Sequence, residues 1–178
     1  MIVDLIQSQH QEKAYAVWSN VLNQYQRRTD FIPNLVETIK AYASHERAVL
    51  TSVIEARAKA MQMTINADIL NNRQVMQQYL NNQANLSSVL SRLIAVVENY
   101  PDLKANQNFL ALQSQLKGTE NRISVARRDY IEAVRIYNTA LKTMQTMIWV
   151  KLWFRDAKPM QTFTIDINAQ QILKVNFN

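Results

Sequence analysis

One glycine and three prolines are all the backbone punctuation in 178 residues. Glycine and proline shape turns and end helices, so a chain this poor in them folds into few, long elements. Alanine, leucine, glutamine and arginine fill the space and favour helices, with asparagine a weaker helix former. The glycine, Gly118, falls inside a helical pattern, where it costs about 1 kcal/mol relative to alanine. A close approach of another group at that level is the expected offset. Hydrophobic residues make up 48% and charged residues 19%, which is enough apolar side chain for the packed core of one domain.

Apolar periodicity divides the chain into four helices. A first spans about Gln7 to Arg28, with Ala14, Trp18, Val21 and Tyr25 spaced four and three apart. A second starts near Asp30, a good N-cap, with Pro33 in its first turn, where a missing N–H costs nothing. One continuous helix kinked at Pro33 is the alternative. Ile32, Leu35, Val36, Ile39, Tyr42, Ala43, Val49, Leu50 and Val53 cover its face, with Glu46 inside that face and Arg57 continuing it. A third runs from about Asn66 to Asn99, with Ile69, Met76, Tyr79, Leu86, Leu90, Leu93 and Val97 on one seam. It ends where Pro101 pushes Tyr100 out of helical geometry. The fourth carries a seam from Phe109 through Leu116, Ile123, Tyr130, Val134, Tyr137 and Leu141 to Ile148, interrupted by Gln113, Glu120 and Arg127. About 40 residues at 1.5 Å each make it roughly 60 Å long. The tail changes to a two-residue repeat, Phe163-x-Ile165-x-Ile167 and Leu173-x-Val175-x-Phe177, read as short extended segments. Short connections favour antiparallel neighbours. The expected fold is all-α, an antiparallel up-and-down four-helix bundle of long helices over residues 1–157, with an extended C-terminal tail, 158–178, packed on it.

Charges on apolar seams need partners, because a buried unpaired charge costs several kcal/mol. If the second and fourth helices pack antiparallel, Glu46 faces Arg127 and Arg57 faces Glu120. Such pairs fix helix register; the functional alternative is a polar pocket around Glu46, Glu120 and Arg127. Asp30, Asn34, Glu37, Ala41 and His45 form a second, polar stripe preceded by Arg27 and Arg28. It serves helix capping or a binding patch for a partner protein. Trp149, Lys151, Trp153, Phe154 and Arg155 form the most amphiphilic segment. It caps the bundle with aromatic bulk or contacts a membrane interface.

Catalytic chemistry finds little to work with. The two histidines, His10 and His45, have no glutamate three residues before them, and no HExxH occurs, so no metal site is expected. Cysteine is absent, which removes thiolate chemistry and disulfides. One glycine cannot supply a nucleophile elbow or a phosphate-cradling loop. No cofactor and no small-molecule substrate are expected. The net charge of +6 is scattered, with no nucleic-acid-binding motif. No stretch of about 18 apolar residues is long enough to span a membrane.

The polar order of Gln26-Arg27-Arg28-Thr29-Asp30-Phe31-Ile32-Pro33-Asn34-Leu35-Val36-Glu37-Thr38-Ile39-Lys40-Ala41-Tyr42-Ala43-Ser44-His45-Glu46 resembles the signature segment of the LemA family. Leu116 to Ile123, Ala126-Arg127-Arg128-Asp129-Tyr130 and Tyr137-Asn138 resemble its second block, and Lys174-Val175-Asn176-Phe177 its closing residues. Ile131 departs from the family's habit of repeating Tyr-Asn. The resemblance implies a membrane-associated, extracytoplasmic domain held by an N-terminal membrane helix. That helix precedes the matched region in relatives and is not in this sequence, which suggests a trimmed form, the favoured reading, or a soluble variant. It further implies a non-catalytic interaction or scaffold module, with a membrane metallopeptidase or its substrates as the partner class. The alternatives are an enzyme built on the Glu46, Glu120 and Arg127 pocket, and a binder of anionic lipid or nucleic acid.

Overall fold

A computed structural model describes residues 2–62 and 72–146, together with Met160. All the regular structure in these residues is helical. The elements are α1 (Ile2–Lys40), α2 (Arg47–Met61), α3 (Arg73–Val97), the short α4 (Pro101–Lys104) and α5 (Gln107–Thr146). The expected tail strands, the start of the third helix before residue 72, and the segment from Trp149 to Arg155 lie outside the described residues.

The expected break at Asp30 does not occur, and α1 runs through Pro33. The physical reason is on α2. Proline offers no N–H to the carbonyl four residues back, here that of Thr29. Arg57 Nε donates to that carbonyl at 2.9 Å, so the orphaned acceptor is satisfied by a side chain. Asp30 is consequently mid-helix rather than an N-cap, and it accepts a bond from Gln26 Nε2 at 2.7 Å.

The second expected helix is instead interrupted between Ala41 and Glu46. Tyr42 N–H and Ala43 N–H both donate to the Ile39 carbonyl, at 3.0 and 2.8 Å, and Glu46 N–H donates to Ala43 at 3.1 Å. Ala43 is buried in the turn. The fourth expected helix matches α5, and the Asn99–Pro101 boundary matches the step from α3 to α4, with Pro101 in the first turn of α4.

The chain forms two compact units. The first takes α1 up to Gln24, α3 up to Met76, and α5 from Arg122, with Met160. Trp18 and Tyr130 meet there with ring centroids 5.0 Å apart and planes tilted by 49°, and Val21, Met76, Val134 and Leu141 are buried. The second takes α1 from Tyr25, all of α2, α3 from Gln77, α4, and α5 up to Asn121. Its core joins Ile32, Leu35 and Ile39 to Leu50 and Val53, Leu86, Leu90 and Leu93, Leu103, Phe109 and Leu116. Each such side chain contributes about 1.5–3 kcal/mol when fully buried. Two contacts tie the turns of this unit together. Tyr100 donates to Glu46 Oε1 and Asn106 Nδ2 donates to the Tyr42 hydroxyl, both at 2.9 Å.

Candidate functional site

The strongest polar feature lies inside the second unit. Ala14, Trp18, Val21 and Tyr25 step four and three along α1, and the next step lands on Arg28, followed by Ile32, Leu35 and Ile39. Arg28 therefore occupies a core position, and it is 1% exposed. A guanidinium there needs acceptors on every side. Its Nη1 donates to Ser87 Oγ at 2.5 Å and to Glu120 Oε1 at 2.9 Å. Its Nη2 donates to the Gln83 carbonyl at 3.1 Å and to Gln83 Oε1 at 2.6 Å. Only Nε is without a hydrogen-bond partner, and the guanidinium carbon sits 5.3 Å from the Tyr25 ring centre, a cation–π distance. Tyr79 meets that ring edge-on at 5.7 Å. Burial pushes the Tyr79 hydroxyl well above the usual phenol range, helped by Tyr25 and opposed by Arg28 and the bond with Gln83.

The helix patterns converge on this layer. Gln83 falls on the α3 seam between Tyr79 and Leu86, and Glu120 on the α5 seam between Leu116 and Ile123. Arg57 follows Leu50 and Val53 on α2 and bonds the backbone of Thr29, the neighbour of Arg28. Thr119 is buried beside Glu120, its hydroxyl bonded to the Gln115 carbonyl at 2.8 Å. Glu120 itself keeps 32% of its side-chain surface exposed, so its carboxylate retains water while countering the buried cation.

The expected pairings change accordingly. The arginine of Glu120 is Arg28, not Arg57, because Arg57 is bound to the Thr29 carbonyl. Glu46 accepts from Tyr100, a bond that raises the Tyr100 hydroxyl above its ordinary value; Arg127 is half-buried in the first unit. Arg28 is also removed from the expected surface patch. Arg27, Asp30, Asn34, Glu37 and His45 are exposed, and Glu37 lies 3.9 Å from Lys40. The convergence on Arg28 was legible in one signal, the unbroken four-three step through Tyr25 to Ile32. Dividing the chain at Asp30 hides it.

Chemically, the cluster is a buried cation with all its terminal nitrogens engaged by protein oxygens. Among the described residues no group of three histidines, aspartates or glutamates is placed to hold a metal ion. A shallow groove of about 440 Å³ lies on α5, lined by Arg135, Ile136, Thr139, Ala140 and Thr143. No helix among the described residues is long and apolar enough to cross a membrane.

Comparison with known proteins gives a consistent result. The LemA family pattern matches residues 17–177. Two proteins of Paramagnetospirillum magneticum, magnetosome protein MamQ 1 and magnetosome protein MamQ 2, are each 26% identical to the chain over 143 residues. The match covers 71% of this chain and 53% of each relative, so the chain spans about half the length of the curated relatives it matches.

Proposed function

The protein belongs to the LemA family, and we propose that it is a non-catalytic helical scaffold that works at a membrane by presenting helix surfaces to a protein partner. The observation that carries this reading is that both terminal nitrogens of Arg28 are engaged by protein oxygens. The interior polar groups bond one another across three helices, an arrangement suited to holding register. Glu46 and Glu120, the carboxylates of the alternative enzymatic reading, are bonded to Tyr100 and Arg28.

We further infer that the second unit is an antiparallel four-helix bundle. Arg28, Arg57, Gln83 and Glu120 share one level, and Tyr42, Glu46, Tyr100 and Asn106 share another. Along the chain, α1, α2, α3 and α5 pass between these levels in alternating directions.

The outward surface offers the stripe Arg27, Asp30, Asn34, Glu37 and His45. A membrane metallopeptidase or its substrates is the partner class to test first. Photo-crosslinkers placed at Asn34 and Glu37 of the membrane-tethered protein are expected to trap one discrete partner in native membranes. Turnover of any substrate by the purified protein, abolished by Glu120→Gln at unchanged fold, would refute the scaffold reading.

A further inference from the structure

Asn138 is a half-buried residue on α5 whose side-chain amide is bonded at both its nitrogen and its oxygen to one distant residue. Its Nδ2 donates to the Met160 carbonyl at 3.1 Å, and its Oδ1 accepts from the Met160 N–H at 3.0 Å. A carboxamide carries the same donor and acceptor as a peptide group. Asn138 therefore treats Met160 as one strand treats a residue of its neighbour. Both bonds go to backbone, so they are indifferent to residue type. Identity comes from the side chain, and Met160 is 4% exposed, buried in the first unit with Asn138.

We propose that Asn138 marks a peptide-backbone docking site on α5, with this chain's own backbone at Met160 as the occupant. The site combines a reciprocal amide pair with an apolar anchor, the two elements by which grooves hold extended peptides. Its chemistry fits an extended segment with an unbranched apolar side chain at the anchoring position.

Hydrogen peroxide tests occupancy directly. It transfers one oxygen atom to a methionine thioether, giving the sulfoxide and water, and a buried thioether reacts slowly. In the intact chain Met160 should oxidise as slowly as buried Met76 and far more slowly than Met61, which is 46% exposed. Peptide mass spectrometry reads each site separately. In Asn138→Leu, which loses both bonds, Met160 should oxidise about tenfold faster while Met76, in the same unit, keeps its rate. Asn138→Asp keeps the size and the N–H acceptor but replaces the donor with a charge facing a carbonyl, and should shift the rate the same way. Protection should not change when the protein is diluted a hundredfold. Unchanged Met160 rates in both variants overturn the proposal, as does equal acceleration at Met76, which would make Asn138 a support of the whole unit. Loss of protection on dilution also overturns it, by placing the segment of a second copy in the site.

Discussion

Replacing Arg57 by methionine tests whether a side chain repairs the backbone of α1. Methionine keeps most of the alkyl stem and removes the donor. The Thr29 carbonyl then has no partner, because Pro33 supplies no N–H, and Thr29 is 3% exposed, so water does not replace it. An unsatisfied buried carbonyl costs about 1–3 kcal/mol. Arg57 is half-buried, and the loss of its own desolvation offsets part of this, so about 2 kcal/mol is expected. In a Pro33→Ala background the new alanine N–H donates to Thr29 in the ordinary helical way, and Arg57→Met should then cost only about 0.5 kcal/mol. The coupling of about 1.5 kcal/mol exceeds the 0.3–0.5 kcal/mol within which independent sites add. Pro33→Ala alone should stabilise by less than the ~3 kcal/mol of an interior proline, since Arg57 already relieves its polar consequence. Amide exchange at Leu90 and Leu93, in the core of the same unit, reads the free energy locally, with a tenfold rate change equal to about 1.4 kcal/mol. Equal costs of Arg57→Met in both backgrounds, within about 0.5 kcal/mol, would mean that Arg57 does not serve the proline.

Arg28→Ala should destabilise the second unit by about 3–5 kcal/mol in urea unfolding, since it strands Glu120 and Gln83. Glu120→Gln should cost nearer 2 kcal/mol, because the carboxylate is one-third exposed and the amide still accepts from Arg28; no measurable loss would count against the pair. The raised hydroxyls of Tyr79 and Tyr130 set the sign of an alkaline transition. The folded state keeps protons that the unfolded state releases above about pH 10, so stability is constant below that pH and falls as pH rises beyond it, as circular dichroism can follow. Stoichiometric zinc or iron surviving chelator dialysis of the purified protein would overturn the expectation of no metal centre. Trp149→Ala with Trp153→Ala should cost several kcal/mol if the segment caps the bundle, whereas unchanged stability with lost binding to anionic vesicles would assign it to the membrane.

Helix content and most of the core were legible from spacing alone. Trp18, Tyr79, Leu93, Phe109 and Tyr130 are buried where the four-three step puts them, because a 3.6-residue period leaves one face for the core. The turn at Ala41–Glu46 was less legible. It contains neither glycine nor proline, and its signal is the gap between Ala43 and Val49, more than one helical turn without a large apolar side chain. Proline chemistry pointed the wrong way at Pro33, because the compensating donor lies on another helix and no local rule can see Arg57. The pairing of Glu120 failed for a related reason. Its register was inferred from two helices, while the buried cation comes from a third.

The departures from sequence rule collect at one level of the second unit. An arginine on the α1 seam, a proline without its hydrogen bond, a glutamine on the α3 seam and a glutamate on the α5 seam would each be a fault in isolation. Together they close: Arg28 engages Gln83, Ser87 and Glu120, and Arg57 engages the carbonyl that Pro33 leaves free. A slip of one helix by a single turn, about 5.4 Å, would strand a buried cation or a buried carbonyl at this level. Apolar layers above and below tolerate such slips far better, since leucine and isoleucine interchange at modest cost. The polar layer is therefore expected to exclude alternative registers more than it adds net stability. Replacing Arg28, Gln83 and Glu120 together with apolar residues of similar size should leave the unit as stable or more stable, while broadening its amide spectrum as alternative registers become populated. Retention of one sharp set of resonances in that triple variant would show that the apolar seams alone specify the register.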